Sequence, residues 1–345
     1  MSVSSNDELK QWLESNNITE VECIFPDMAG SSKGKILPVN RFIKSLEDQS
    51  LKLADSVLAQ TVSGSWINES EIIDYVEEDV IMTPDLSTIR KIPWNKEPTA
   101  QIICDLYYNS VSPSDIAPRQ ILKNIIKTLA EENMEAVVAP ELEFYLCEQN
   151  LDPDLPLKTP VGKSGRREMS SQAFGVDAVN EFDKITDDIY DYCESLGIGV
   201  DTLVHESGPA QIEINLNHGD PLQLADQAFM FKRAVRQVAL KHGVHATFMA
   251  KPYSSQPGSS MQIHQNLIST KTKENLYSDK EGNNTGLFLN YIGGLQQYLP
   301  DAMLFFAPYV NSYRRFVIDA SAPINTHWGL ENRTVGFRVP SSKGD

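Results

Sequence analysis

Apolar side chains at Leu9, Trp12 and Leu13 follow the i, i+3, i+4 spacing of a helix and predict one over residues 6–16. Strands are predicted over 20–25 and 35–39, on either side of a polar turn at 26–34. The stretch 51–98 keeps no period and carries Gly64, Pro84, Pro93 and Pro98, so it reads as irregular before a strand at 100–107. The pattern then becomes regular. Residues 115–118 open a helix whose Ile121, Leu122, Ile125, Ile126 and Leu129 share one face. A strand at 136–147 and a helix at 178–196 (Val179, Phe182, Ile185, Ile189, stopped by Gly197) follow. Strands at 200–205 and 211–217 precede a long helix, capped by Asp220 with Pro221 in its first position and ending at Gly243. Strands at 244–250 and 261–268 flank a Gly/Pro/Ser loop at 251–260. The economical division is into two lobes meeting near 108–113.

Composition narrows the function. A formal net charge of −17 over 345 residues disfavours nucleic acid as a partner, because neutralising phosphates needs a basic surface. No apolar run approaches the roughly 20 residues that span a bilayer, and the first residues lack the layout of a signal peptide. Cys23, Cys104, Cys147 and Cys193 are widely spaced, which predicts reduced, buried thiols in a cytoplasmic protein.

The chemistry sits on strands. In Pro140-Glu141-Leu142-Glu143-Phe144, alternation puts Glu141 and Glu143 on one face and the two apolar residues on the other. Gln211, Glu213 and Asn215 share a face in the same way, just after His205-Glu206. Either strand alone also reads as a solvated sheet face. If the two faces converge, four glutamates need a divalent cation to offset their mutual repulsion, and carboxylate oxygens suit a hard ion such as Mg²⁺ or Mn²⁺. Arg314, Arg315, Arg333 and Arg338 form a positive island in an otherwise acidic chain, suited to a carboxylate or phosphate. No Gly-rich phosphate cradle of the P-loop or dinucleotide type occurs, so any ATP would have to be held through metals and arginines.

With Phe248-Met249-Ala250-Lys251-Pro252, Asn311-Ser312-Tyr313-Arg314-Arg315 and Asn332-Arg333-Thr334 added, these blocks resemble the glutamine synthetase family in order and spacing. The resemblance implies an α+β chain. An N-terminal β-grasp domain would span 1–110, and a catalytic domain with a curved antiparallel sheet and flanking helices would span 111–345. It also implies ring-shaped homo-oligomers with active sites between subunits, and ATP-dependent joining of the γ-carboxylate of glutamate to an amine through γ-glutamyl phosphate. By the same resemblance Glu143, Glu206 and Glu213 are ligands of one metal and Glu141 of a second. Gly258 and Arg315 contact glutamate, Arg333 and Arg338 face phosphates, and His264 lies on the nucleotide side. Arg315 and Arg333 would carry catalysis.

Three departures from the family pattern stand out. Gln262 occupies the place of a histidine ligand of the second metal. The chain stops at Asp345, just before a block that carries a further metal glutamate and substrate arginines, which implies that the C-terminal part of the catalytic domain is missing. Ser321 stands where ammonium-using members have a glutamate, and the stretch around Ala59-Gln60-Thr61 shows no matching aspartate. With Asn217-His218-Gly219-Asp220-Pro221, this resembles the γ-glutamylpolyamine (γ-glutamylputrescine) synthetase branch and predicts a polyamine or other primary amine as acceptor. The alternatives are an ammonium-using glutamine synthetase proper, a non-catalytic homologue or fragment, and a guanidino kinase of similar catalytic fold.

Overall fold

The computed structural model describes residues 3–61, 63–65, 78–152, 154–318 and 322–340. The chain divides into two compact units, one of residues 1–127, 191–198 and 225–230, the other of 128–190, 199–224 and 231–345. Among the described residues, no helix is long and apolar enough to cross a membrane. All four cysteines are buried free thiols.

The first unit is built on a sheet ordered β2-β1-β6-β4-β3, with β5 against β6. Its strands are β1 (Glu20–Pro26), β2 (Ser32–Pro38), β3 (Lys52–Ala54), β4 (Asp79–Pro84), β5 (Arg90–Lys91) and β6 (Thr99–Tyr107). β1 and β6 run parallel, and the other pairs are antiparallel. Leu9 and Leu13 of α1 (Asn6–Ser15) and Phe42 of α2 (Val39–Asp48) share a core with Val21, Cys23, Phe25, Ile102 and Leu106. The polar turn is shorter than the sequence suggests: Asp27 Oδ1 accepts from the amides of Ala29 (2.9 Å) and Ser31 (2.8 Å), closing it within five residues. The expectation that 51–98 is irregular fails at β3, β4 and β5. These strands run two to six residues, too short to show a period, and are fixed by their pairing within the sheet.

On α3 (Pro118–Glu131), Ile121 and Ile125 of the apolar stripe are exposed, and the residue that is buried is Arg119. Its guanidinium reaches Asp85 (2.7 Å), Asp105 (2.6 Å) and Asp226 (2.7 Å), and Lys123 also bonds Asp105.

The second unit centres on a curled antiparallel sheet of β7 (Met134–Glu148), β8 (Val200–His205), β9 (Gln211–Leu216), β10 (Val244–Thr247) and β11 (Met261–Ser269). β9 occupies one edge of β7 over residues 141–145. The opposite edge is divided: β10 takes 145–148 and β11 takes 134–142. The changeover falls at Glu143, whose amide donates to Ser260 O (3.1 Å), so the 248–260 loop leaves and rejoins the sheet there. This is why β10 stops at Thr247 and not at 250.

Leu142, Phe144, Ile212 and Ile214 are buried on the apolar face of this sheet. The Phe144 ring packs against Phe231 of α6 (Pro221–Lys241) with centroids 6.4 Å apart. Asp220 caps α6 by accepting from the Gln223 amide at 2.9 Å. The helix expected at 178–196 is two, α4 (Val176–Asn180) and α5 (Asp183–Leu196). Glu181 at the break accepts from the amides of Lys163 (2.9 Å) and Ser164 (3.0 Å), which ties it to a neighbouring loop. The remaining elements are α7 (Gly286–Tyr298), α8 (Met303–Phe306), a 3₁₀ turn at Val310–Arg315, and the parallel pair β12 (Trp328–Leu330) and β13 (Phe337–Val339).

Candidate active site

Residues directly opposite each other in antiparallel strands share a face. The register pairs Glu143 with Glu213, Glu141 with Asn215, and Glu141 with Gln262 on the other edge. Strand alternation therefore gathers Glu141, Glu143, Glu213, Asn215, Gln262 and His264 on one polar face. Glu206 joins them from the turn after β8, where its amide donates to Gln211 O (2.8 Å) and its carboxylate accepts from the Ser207 amide (3.0 Å).

The electrostatics follow from this crowding. Glu213 is 9% exposed; its burial, reinforced by the charges of Glu141, Glu143 and Glu206, pushes its carboxyl up to about 7. Glu143 is also raised, by burial first, against the hydrogen bonds it accepts from the Ser260 hydroxyl and amide (3.0 Å to the amide). Glu141 is held down, chiefly because His264 Nε2 donates to it at 2.7 Å, with the charges of Arg338 and Arg333 adding to the effect. The same bond raises His264 above the ordinary histidine value. Arg333 is thus electrically coupled to both Glu141 and Glu213, and Arg338 to Glu141 and His264.

Gly258 and Arg315 pack together. A Cβ on Gly258 would stand 2.5 Å from Ala250 O, 2.7 Å from Arg315 Cγ and 2.8 Å from Arg315 Nε, so only glycine leaves the arginine its place. Burial pushes the Arg315 guanidinium down from its ordinary value, and the charge of Glu143 opposes this.

One buried amide joins these two groups. Gln211 Nε2 lies within bonding distance of Glu143 Oε2 (3.1 Å), Gly258 O (3.1 Å) and Ser259 Oγ (3.3 Å), while its Oε1 accepts from the Gly208 amide (2.9 Å). Tyr145 Oη donates to Pro257 O (2.8 Å) and braces the same loop.

All the site residues expected from the sequence lie in the second unit, and the four glutamates meet on one side of its sheet. They are not arranged as a cage: among the described residues, no three or more His, Cys, Asp or Glu side chains are placed to hold a metal ion. The reason is visible, since Glu141 and Glu143 are engaged by His264, Asn215, Ser260 and Gln211. Gln262 is exposed. Ser321 lies outside the described residues. Ser260 carried no signal in the sequence, because it acts through a contact with Glu143 made far along the chain. Gln211 and Asn215 were legible by face but not by partner.

The family model "Glutamine synthetase, catalytic domain" matches residues 115–345. The chain is 35% identical to the gamma-glutamylputrescine synthetase PuuA of Escherichia coli (strain K12) over 337 residues, covering 96% of this chain and 71% of that protein. It is 32% identical to a glutamine synthetase of Methanocaldococcus jannaschii over 344 residues, 97% of this chain and 72% of the other. The solved structure "Apo GmaS without ligand" superposes with a TM-score of 0.78 at 24% identity, over 97% of this chain and 73% of that one, a likeness of fold. These matches mark the chain as a carbon–nitrogen ligase. The chain belongs to the glutamine synthetase family.

Proposed function

We propose that the chain joins the γ-carboxylate of glutamate to a primary amine, a polyamine in particular, at the expense of ATP. A glutamate oxygen attacks the γ-phosphorus of ATP and ADP leaves. The amine nitrogen then attacks the acyl carbon, phosphate departs with the C–O electron pair, and the amine loses a proton. The observation that carries this reading is the convergence of four carboxylates, one of which, Glu143, is tied through buried Gln211 to the loop that seats Arg315 on Gly258.

The donor set fits a hard divalent cation: its oxygens carry more negative charge than they can comfortably hold, as Glu213 shows, and Asn215 Oδ1 is buried with no hydrogen-bond partner among the described residues. Glu143, Glu206 and Glu213 would hold one ion, and Glu141 with Gln262 a second. Such ions would supply positive charge for the oxygens of the transferring phosphoryl group. Arg315, seated on Gly258, binds and orients the glutamate carboxylate. Arg333 and Arg338 offset charge on phosphate oxygens, Arg333 during transfer, and His264 sits on the nucleotide side. The relative of 35% identity named for γ-glutamylputrescine supports the amine, as do the segment at 217–221 and the stretch 59–61, which lacks an aspartate.

In this reading residues 1–110 form a β-grasp domain and 111–345 the catalytic domain, in a cytoplasmic ring-shaped homo-oligomer with sites between subunits. Phosphate release assayed with ammonium, a monoamine and putrescine is expected to show turnover with an amine well above that with ammonium. Turnover with ammonium and none with amines would reject the acceptor.

A second reading, a family member that binds ligands without turnover, is favoured by the engagement of Glu141 and Glu143 with protein donors. Mn²⁺ bound without phosphate release would support it.

The packing of Gly258 yields a further prediction. Alanine there must displace Arg315 or the loop, and about an ångström of misplacement can cost on the order of 100-fold. Gly258→Ala is expected to raise the KM for glutamate or lower kcat by about that factor and, because the new Cβ meets the Ala250 carbonyl, to lower the melting temperature as well, as steady-state kinetics and calorimetry will show.

A further inference from the structure

Glu206 sits on a turn, not a strand, yet it must meet the glutamates of two strands. What fixes that turn comes from elsewhere in the chain. Glu168 Oε2 accepts from His205 Nε2 (2.9 Å) and from the Ala210 amide (2.8 Å), so one carboxylate oxygen bridges the two flanks of the turn. His205 is 1% exposed, and its Nδ1 donates to the Glu206 carbonyl at 2.7 Å. Ala210 has φ +57°, a left-handed conformation unusual for a residue with a Cβ, and its carbonyl accepts from the Leu146 amide of β7 (2.9 Å). Glu168 is itself held. Val161 and Arg167 form an isolated β-bridge, Gly162 N donates to Arg166 O (2.8 Å), and Thr159 Oγ1 donates to Glu168 O (3.2 Å). The 159–168 segment thus has its own bracing, with the Glu168 carboxylate at its end.

We infer that Glu168 is a positioning residue: through the His205 ring and the Ala210 amide it sets the turn that aims Glu206 at the acid face. The inference rests on the reading of Glu206 as a ligand, and its geometric half stands without that reading. Outer partners of this kind orient a ligand without touching the ion or substrate.

The test uses the full chain as wild type, Glu168→Ala and Glu168→Gln. Asp188→Ala serves as a control for the loss of an ion pair outside the turn, since it breaks the pair Asp188 on α5 makes with Lys241 and His242 at the end of α6. Hydrogen–deuterium exchange over 205–211 and titration with Mn²⁺ alone are the two readouts. Glu168→Ala is expected to speed exchange across the turn and weaken Mn²⁺ binding about 10-fold or more. Glu168→Gln keeps an oxygen able to accept both hydrogen bonds, so it is expected to restore protection and bind Mn²⁺ within about threefold of wild type.

Unchanged exchange in Glu168→Ala overturns the inference. So does an equal loss in Glu168→Gln, which would make the role one of charge, or an equal loss of Mn²⁺ affinity in Asp188→Ala, which would make it general stability. Wild-type protein that binds no Mn²⁺ overturns the metal reading instead, and the exchange comparison then decides the role of Glu168 alone.

Discussion

Glu213→Gln is expected to make the metal-free protein more stable at alkaline pH while costing it about 100-fold in Mn²⁺ affinity, at the upper end of what even outer partners of a ligand cost. Burial and three neighbouring glutamates place the Glu213 carboxyl near 7 in the fold, against 4.5 for an ordinary glutamate. The unfolded chain therefore releases this proton earlier than the folded one. Stability is whole below about pH 4.5, and it is eroded as pH rises to about 7, by about 3 kcal/mol for this group. Glutamine cannot ionise, so the variant escapes the penalty. Its advantage should be full above about pH 7, amount to a few degrees in Tm, and vanish below about pH 4.5. Melting curves across that range in chelated buffer check the first half, and Mn²⁺ titration checks the second. A variant no more stable at pH 8 than wild type would show that the acid face is not under electrostatic strain.

Arg119→Met is expected to destabilise the protein by about 3–5 kcal/mol, the usual cost of removing one partner from a buried ionic cluster. Arg119 is 6% exposed and bonds Asp85 just after β4, Asp105 of β6 and Asp226 of α6. Burial works against its charge, yet these carboxylates hold the guanidinium above its ordinary value. Asp226 is raised, by burial foremost, despite the arginine beside it, and without Arg119 it has least reason to stay ionised. Protonation of the abandoned carboxylates relieves the variant, so its deficit should shrink between roughly pH 8 and pH 5. Urea denaturation at both values measures this. A deficit of about 1 kcal/mol or less would assign Arg119 the modest role of an exposed pair.

The sequence carried the parts of this molecule that depend on neighbours along the chain. Alternation on β7 and β9 disclosed the shared face of Glu141, Glu143 and Glu213, because the period of a strand is fixed by its backbone. Asp220-Pro221 announced α6 for the same local reason. What stayed hidden is set by contacts between distant residues. Ser260 meets Glu143 across 117 positions and Glu168 meets His205 across 37, and neither residue has a pattern around it to betray that. β3 to β5 exist only because longer strands accept them. Glu181 divides a helix that its own periodicity would continue, since its oxygens are better used by a neighbouring loop. On α3 the sequence shows the apolar stripe but not that Arg119, a residue of a type usually exposed, finds three carboxylates inside.

The divided edge of β7 has a bearing on how such a molecule can be altered. β10 and β11 are each registered on β7 independently, so the chain between them is anchored at both ends by segments that do not rely on it. Residues could be added to or taken from the outer part of that excursion, around Ser254 and Ser255, without shifting either strand by a position. The outer part of this excursion can therefore be varied in length while Gly258 and the acidic side chains keep their places.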